Sequence, residues 1–316
     1  MLEQVSSADV CRACGTALDQ SQPPYDRLCE RCRAQQAFPA QTANDPAIAA
    51  SDAYPQYQPG AVAQQESPLD PDRPWWGVLT AMGVWLFSLV AIIFVPAIAV
   101  VAWIFIDRAR GIELQPVTSE ADLPPRLLLV GIYSTLAAHF ISLGFSWAVV
   151  TRLRTQPFLK SLGWHWAGRS ALYWALASVG IIAFVFAADQ VFVRVLPERE
   201  TSFDRLLKAS QQVRIAVVIL ATLSAPFVEE VIYRGVLYAG LRKRLSVVAS
   251  VVMVTMLFAG VHVPQYWGAW ASLAGLTLLS LILTVVRAKT KSILPCVVIH
   301  FVNNAFFSVF ILLNKV

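Results

Sequence analysis

The chain has 316 residues, of which 57% are hydrophobic and only 14% charged. That is more apolar surface than a soluble domain needs, since charged residues run near ~25% there. Residues 1–74 hold 5 basic and 10 acidic side chains and residues 75–316 hold 20 and 10, so the basic excess lies among apolar runs. It reads as membrane topology and contact with lipid headgroups rather than as a nucleic-acid surface.

The N-terminus carries Cys11-Arg-Ala-Cys14 and Cys29-Glu-Arg-Cys32, close to the spacing of four thiolates around one tetrahedral zinc. Gly15 suits the tight turn after the first pair. The alternative is two unrelated redox-active or disulfide-bonded pairs. Residues 1–35 are therefore read as a zinc-ribbon-like head with a structural zinc, since so short a segment has little other core to fold around. Thiolate ligands also favour a reducing compartment. The same 35 residues lack the apolar core of a signal peptide, so insertion is expected to rely on the first span. Residues 36–74, rich in Pro, Gln and Ala, offer nothing to bury and are read as a disordered linker.

Trp75 and Trp76 stand where an interfacial aromatic belt would, and seven apolar runs follow: 77–106, 127–150, 171–193, 213–240, 246–262, 268–286 and 292–313. Each approaches or exceeds the ~20 residues needed to cross a ~30 Å core, the fifth being the shortest. The expected fold is an all-α, polytopic transmembrane bundle of about seven spans, the first three within residues 75–200. Arg242, Lys243 and Arg244 in one short loop and Arg287, Lys289 and Lys291 in another place those loops inside, and counting back makes the N-terminus cytosolic. The loop with Arg194, Arg199, Arg205, Lys208 and Arg214 would then lie outside, against the rule.

Ionisable groups are sparse in the first three spans, where His139 and Asp189 read as polar glue between helices and His165 lies in a loop. They gather in the last four. Glu229, Glu230 and Arg234 lie in the fourth, His262 ends the fifth, and His300, Asn303 and Asn304 lie in the seventh. Charge in hydrocarbon costs at least ~2.5–3.5 kcal/mol per residue, so such groups face a cavity and usually have a function. Glu230 and Arg234, four apart, can pair along one helix face. Glu229 points about 100° away and stays free. Pro226 is expected to bend the helix beside it. His300 and Asn304 share a face, and Phe258 walls the pocket beside His262. A free carboxylate, two imidazoles and an amide are the groups that hydrolysis requires: a base for water and donors for an oxyanion.

Glu229-Glu230-Val-Ile-Tyr-Arg234 fits EExxxR, Phe258-Ala-Gly-Val-His262 fits FxxxH, and His300-Phe-Val-Asn-Asn304 fits HxxxN. Their order and spacing over about residues 200–316 resemble the CPBP family of CAAX-protease and bacteriocin-processing (Abi-type) intramembrane endopeptidases. The resemblance implies a catalytic transmembrane domain over 201–316 with a cavity opening toward the cytosol. It implies that Glu229 activates water with help from His262, that His300 and Asn304 stabilise the oxyanion, and that Glu230 and Arg234 hold the site in shape. The expected substrate is a peptide or protein, with a membrane-anchored one among the candidates. No catalytic cofactor is expected. The rival mechanism is a zinc site of two histidines and a carboxylate formed by His262, His300 and Glu229. No HExxH is present, and the Arg234 cation disfavours a further divalent ion. A non-catalytic scaffold or immunity protein is a rival of another class, which the complete polar set argues against. A transporter would show paired broken helices in both halves.

Overall fold

A computed structural model describes residues 69–112 and 123–313. Cys11, Cys14, Cys29 and Cys32, and with them the expected zinc head, lie outside the described residues, as does most of the linker. Contacts divide the chain after Gln65, and the architecture below belongs to the unit that begins at Glu66.

The described residues form helices and no strands, as the apolar runs require. In hydrocarbon a backbone must satisfy its own polar groups, which a helix does within one segment. The helices are α1 (Val78–Ala109), α2 (Pro125–Val150), the single turn α3 (Phe158–Ser161), α4 (Ala171–Val195) and the short α5 (Ser202–Ala209). They continue with α6 (Gln211–Arg242), α7 (Val247–His262), α8 (Trp270–Thr290) and α9 (Leu294–Leu313). Start signals in the sequence act as expected: Ser170, Ser210 and Ser246 each accept a hydrogen bond from a first-turn N–H, and Thr201 with Asp204 forms a capping box.

Six helices are long and apolar enough to cross a membrane, one fewer than the seven expected. The difference is the fifth run. Its helix, α7, has 16 residues, about 24 Å at ~1.5 Å per residue and short of a ~30 Å core. The chain is an integral membrane protein by these six helices. α1 pairs with α2, and the Arg126 guanidinium reaches the buried Asp107 carboxylate across their loop end at 3.1 Å. α7 pairs with α8, while α8 and α9 both pack on α4.

α6 lies at the centre and is not a plain α-helix. Residues Leu220–Ser224 and Glu230–Leu237 are π-helical, separated by one α-turn at Ala225–Glu229. Every residue of Glu230–Leu237 is buried, and the main core collects around it: Trp76, Val84, Leu162, Phe258 and Ile293 all pack there. One end of the bundle is tied by polar contacts. The Trp75 indole donates to the Val150 carbonyl, Lys243 to that of Pro74, and Ser292 to that of His165. The loops before α7 and after α8 therefore share that end with the start of α1. Gly163 is required there: its φ is +75°, and a Cβ would collide with the Lys291 carbonyl.

Candidate active site

The two glutamates of the first motif have opposite surroundings. The Glu230 side chain is fully buried and its Oε1 accepts from Arg234 Nη1 at 2.9 Å, the i,i+4 pair expected. α8 accepts three further hydrogen bonds from the guanidinium. Nε donates to Thr284 Oγ1 at 3.3 Å, and Nη2 donates to the Ser280 carbonyl at 3.0 Å and to Ser280 Oγ at 2.8 Å. Such extensive pairing is what makes a buried cation tolerable. Glu229, one residue earlier, keeps 23% of its side chain exposed.

His300 joins them. Its Nδ1 donates to Glu230 Oε1 at 2.8 Å, and its Nε2 lies 3.7 Å from Glu229 Oε2. The carboxylate acceptor fixes the tautomer, because Nδ1 must carry the hydrogen. The first and third motifs thus meet through one imidazole held between two carboxylates. His262 is placed differently. Its Nδ1 donates to the Phe258 carbonyl at 2.8 Å, leaving Nε2 as the basic nitrogen, and its ring lies 4.7 Å from that of Phe258. The Phe258 ring also meets His300 at 6.2 Å, Tyr233 at 5.0 Å and the Arg234 guanidinium carbon at 4.8 Å. Phe258 therefore does more than wall the pocket. It is the apolar surface against which both imidazoles and the cation are set.

Asn304 Nδ2 donates to the Ala221 carbonyl at 2.8 Å, and its Oδ1 accepts from Asn303 Nδ2 at 3.2 Å. Local chemistry explains the first bond. The Ala225 N–H donates to Leu220, five residues back. In that register the Ala221 carbonyl would be paired with residue 226, which is proline and has no N–H. The expected bend at Pro226 thus takes the form of a π-helical turn whose orphaned carbonyl is capped from α9. An amide nitrogen has two hydrogens, so Asn304 keeps one for another acceptor.

Three further residues lie near this site. His139 Nδ1 is 2.7 Å from Ser224 Oγ, at the end of the first π-helical turn. Tyr266, in the loop after α7, has its phenol pushed up to about 12 by burial first and then by the Asp204 and Glu229 carboxylates. It remains a hydrogen-bond donor at neutral pH. Arg287, counted from sequence among loop cations, is fully buried with its Nε on the Arg234 carbonyl at 3.1 Å. No spacing signal marks any of the three. Among the described residues, no group of three or more His, Cys, Asp or Glu is arranged to hold a metal.

Residues 211–306 match the family model described as Type II CAAX prenyl endopeptidase Rce1-like. The matched segment is that of a peptidase. It runs from the first residue of α6 through the HxxxN motif of α9, so every residue named in this site except His139 and Asp204 falls inside it. Neither the curated proteins nor the solved structures contain a match to the chain.

Replacing Asn304 by alanine is expected to leave the part-buried Ala221 carbonyl without a donor, at a cost of about 1–3 kcal/mol. Thermal melting in detergent checks this. A variant that melts with the wild type would show that the carbonyl does not depend on Asn304.

Proposed function

We propose that this chain is an intramembrane endopeptidase in which Glu229 activates the attacking water. The observation that carries this reading is the unequal pair of glutamates. Arg234 and His300 both bond Glu230, whereas Glu229 is partly exposed and lies 3.7 Å from His300 Nε2.

The steps follow from that asymmetry. Glu229 takes a proton from water, and the hydroxide adds to the scissile carbonyl. The second amide hydrogen of Asn304, and the Nε2–H of His300 in its imidazolium form, are the donors for the resulting oxyanion. Glu229 then passes its proton to the leaving amide nitrogen, the C–N bond breaks, and the carboxylate is restored. His262, with Nδ1–H held by the Phe258 carbonyl, offers its Nε2 lone pair as an acceptor for the water. Glu230 and Arg234 hold His300 in register and take no part in bond making. The substrate in this reading is a membrane-anchored peptide or protein. The matched family's description makes prenylated CAAX peptides the first reporters to assay. The basic loops and the reading of the cysteine head as a zinc site support a cytosolic N-terminus.

His300 Nε2 and Glu229 Oε2, 3.7 Å apart, could also be ligands of a catalytic zinc, and a chelator separates the two chemistries. The purified protein is expected to keep cleaving its reporter in strong chelator. Activity lost there and restored by stoichiometric zinc would assign the chemistry to a metal. Glu229→Gln is expected to abolish cleavage, by at least the ~10²–10⁴-fold that general-base catalysis contributes, with melting close to wild type. A folded Glu229→Gln variant with normal turnover would remove Glu229 from the mechanism.

A further inference from the structure

The Arg287 guanidinium is buried at the end of α8 and makes three contacts in three directions. Its Nη1 donates to Asp72 Oδ1 at 2.7 Å, its Nη2 to the Pro71 carbonyl at 3.2 Å, and its Nε to the Arg234 carbonyl at 3.1 Å. Its plane lies over Tyr238, 5.0 Å from the ring centre. We propose that Asp72 and Arg287 are positioning residues for the hydrolytic site, forming a latch that ties the segment just before α1 to the π-helical stretch carrying Glu230 and Arg234. This deepens the peptidase reading and rests on it.

The path is short and continuous. Asp72 holds Arg287, Arg287 holds the backbone of Arg234, the Arg234 side chain holds Glu230, Glu230 holds His300, and His300 faces Glu229. The Arg234 carbonyl is a point of control for a physical reason. A π-helix is wider than an α-helix, and with the Tyr238 N–H on the Tyr233 carbonyl the return to α-helical register skips the Arg234 carbonyl. Arg287 supplies its donor, and the Trp76 indole adds a bond to the Val236 carbonyl at 3.1 Å. Both donors are set by residues 71–76 at the start of the described chain. A second contact reinforces the segment. Asp70 Oδ1 accepts from the Asp72 N–H at 3.1 Å and lies 3.4 Å from Lys291 Nζ. Nothing in the three motifs includes Asp72 or Arg287, and Asp72 lies outside the matched residues.

A latch that served stability alone would change the fraction of folded enzyme and nothing else. A positioning latch changes turnover in the folded enzyme. The test uses the full-length protein in detergent with a reporter peptide. Asp72→Asn keeps the shape and an acceptor oxygen but removes the charge. It is expected to lower kcat about ten- to hundredfold per folded molecule, with KM held within about twofold. Asp72→Glu, which keeps the charge, is expected to recover most of the loss. Lys208→Gln, in an exposed pair with Glu200, serves as the control and is expected to cleave like wild type. Backbone amides over 230–237 are expected to exchange about tenfold faster in Asp72→Asn.

Wild-type kcat in folded Asp72→Asn overturns the proposal. If that variant does not fold, Asp72→Asn combined with Arg287→Met removes both charges and decides. It is expected to fold with kcat still low, because the Arg234 carbonyl has lost its donor, and wild-type kcat in it overturns the proposal. The exchange measurement needs no activity. Should even the wild type cleave nothing, the peptidase reading fails, and unchanged exchange over 230–237 in Asp72→Asn, or in the double variant, separately overturns the latch.

Discussion

The ion pair between Glu230 and Arg234 is the constraint on which the site depends. Both side chains are fully buried, where an isolated charge would be prohibitive and a pair is tolerated when further hydrogen bonds support it. That requirement explains why α8 presents Ser280 and Thr284 to the guanidinium. It also explains why His300 meets Glu230 with its Nδ1–H. A buried ion pair of this kind is weak evidence for stability, since apolar residues of equal volume often do as well. Its value here is geometric. It fixes one carboxylate and one imidazole so that the neighbouring carboxylate, Glu229, is left without a tight partner.

The membrane sets a second constraint. Unsatisfied main-chain groups cannot be left to water in hydrocarbon, so irregular backbone there needs partners supplied by the protein. α6 is irregular twice, at 220–224 and 230–237. Each irregularity has its carbonyl met by a side chain from another element: Asn304 for Ala221, Arg287 for Arg234 and Trp76 for Val236. The π-helical turns and the polar residues that cap them are one device. They place Glu229 and Glu230 toward α9 while Arg234 turns to α8.

Much of this was legible in the residues and some was not. The i,i+4 spacing of Glu230 and Arg234 specified their pairing, because that spacing is nearly indifferent to whether the turn is α or π. Pro226 signalled a break but not its form, since a missing N–H can be met by a kink, a π-turn or a side-chain cap. The run 246–262 resembled a span by composition, yet its helix is shorter than the six long ones, and apolar composition alone does not set where a helix ends. Arg287 read as a loop cation because it lies about one turn from Lys291 at the end of an apolar run. Its burial depends on Asp72, 215 residues away, and no local pattern encodes that partner. His139 and Tyr266 were indistinguishable from packing residues for the same reason.

The central claim, that Glu230 and Arg234 form one buried unit supporting a free Glu229, is tested most directly by a double-mutant cycle on melting. Glu230→Gln and Arg234→Gln each strand a buried charge and are expected to cost about 3–5 kcal/mol. The double variant removes both charges and is expected to cost clearly less than the two added together. Strict additivity would show that the two residues are not coupled and contradict the account.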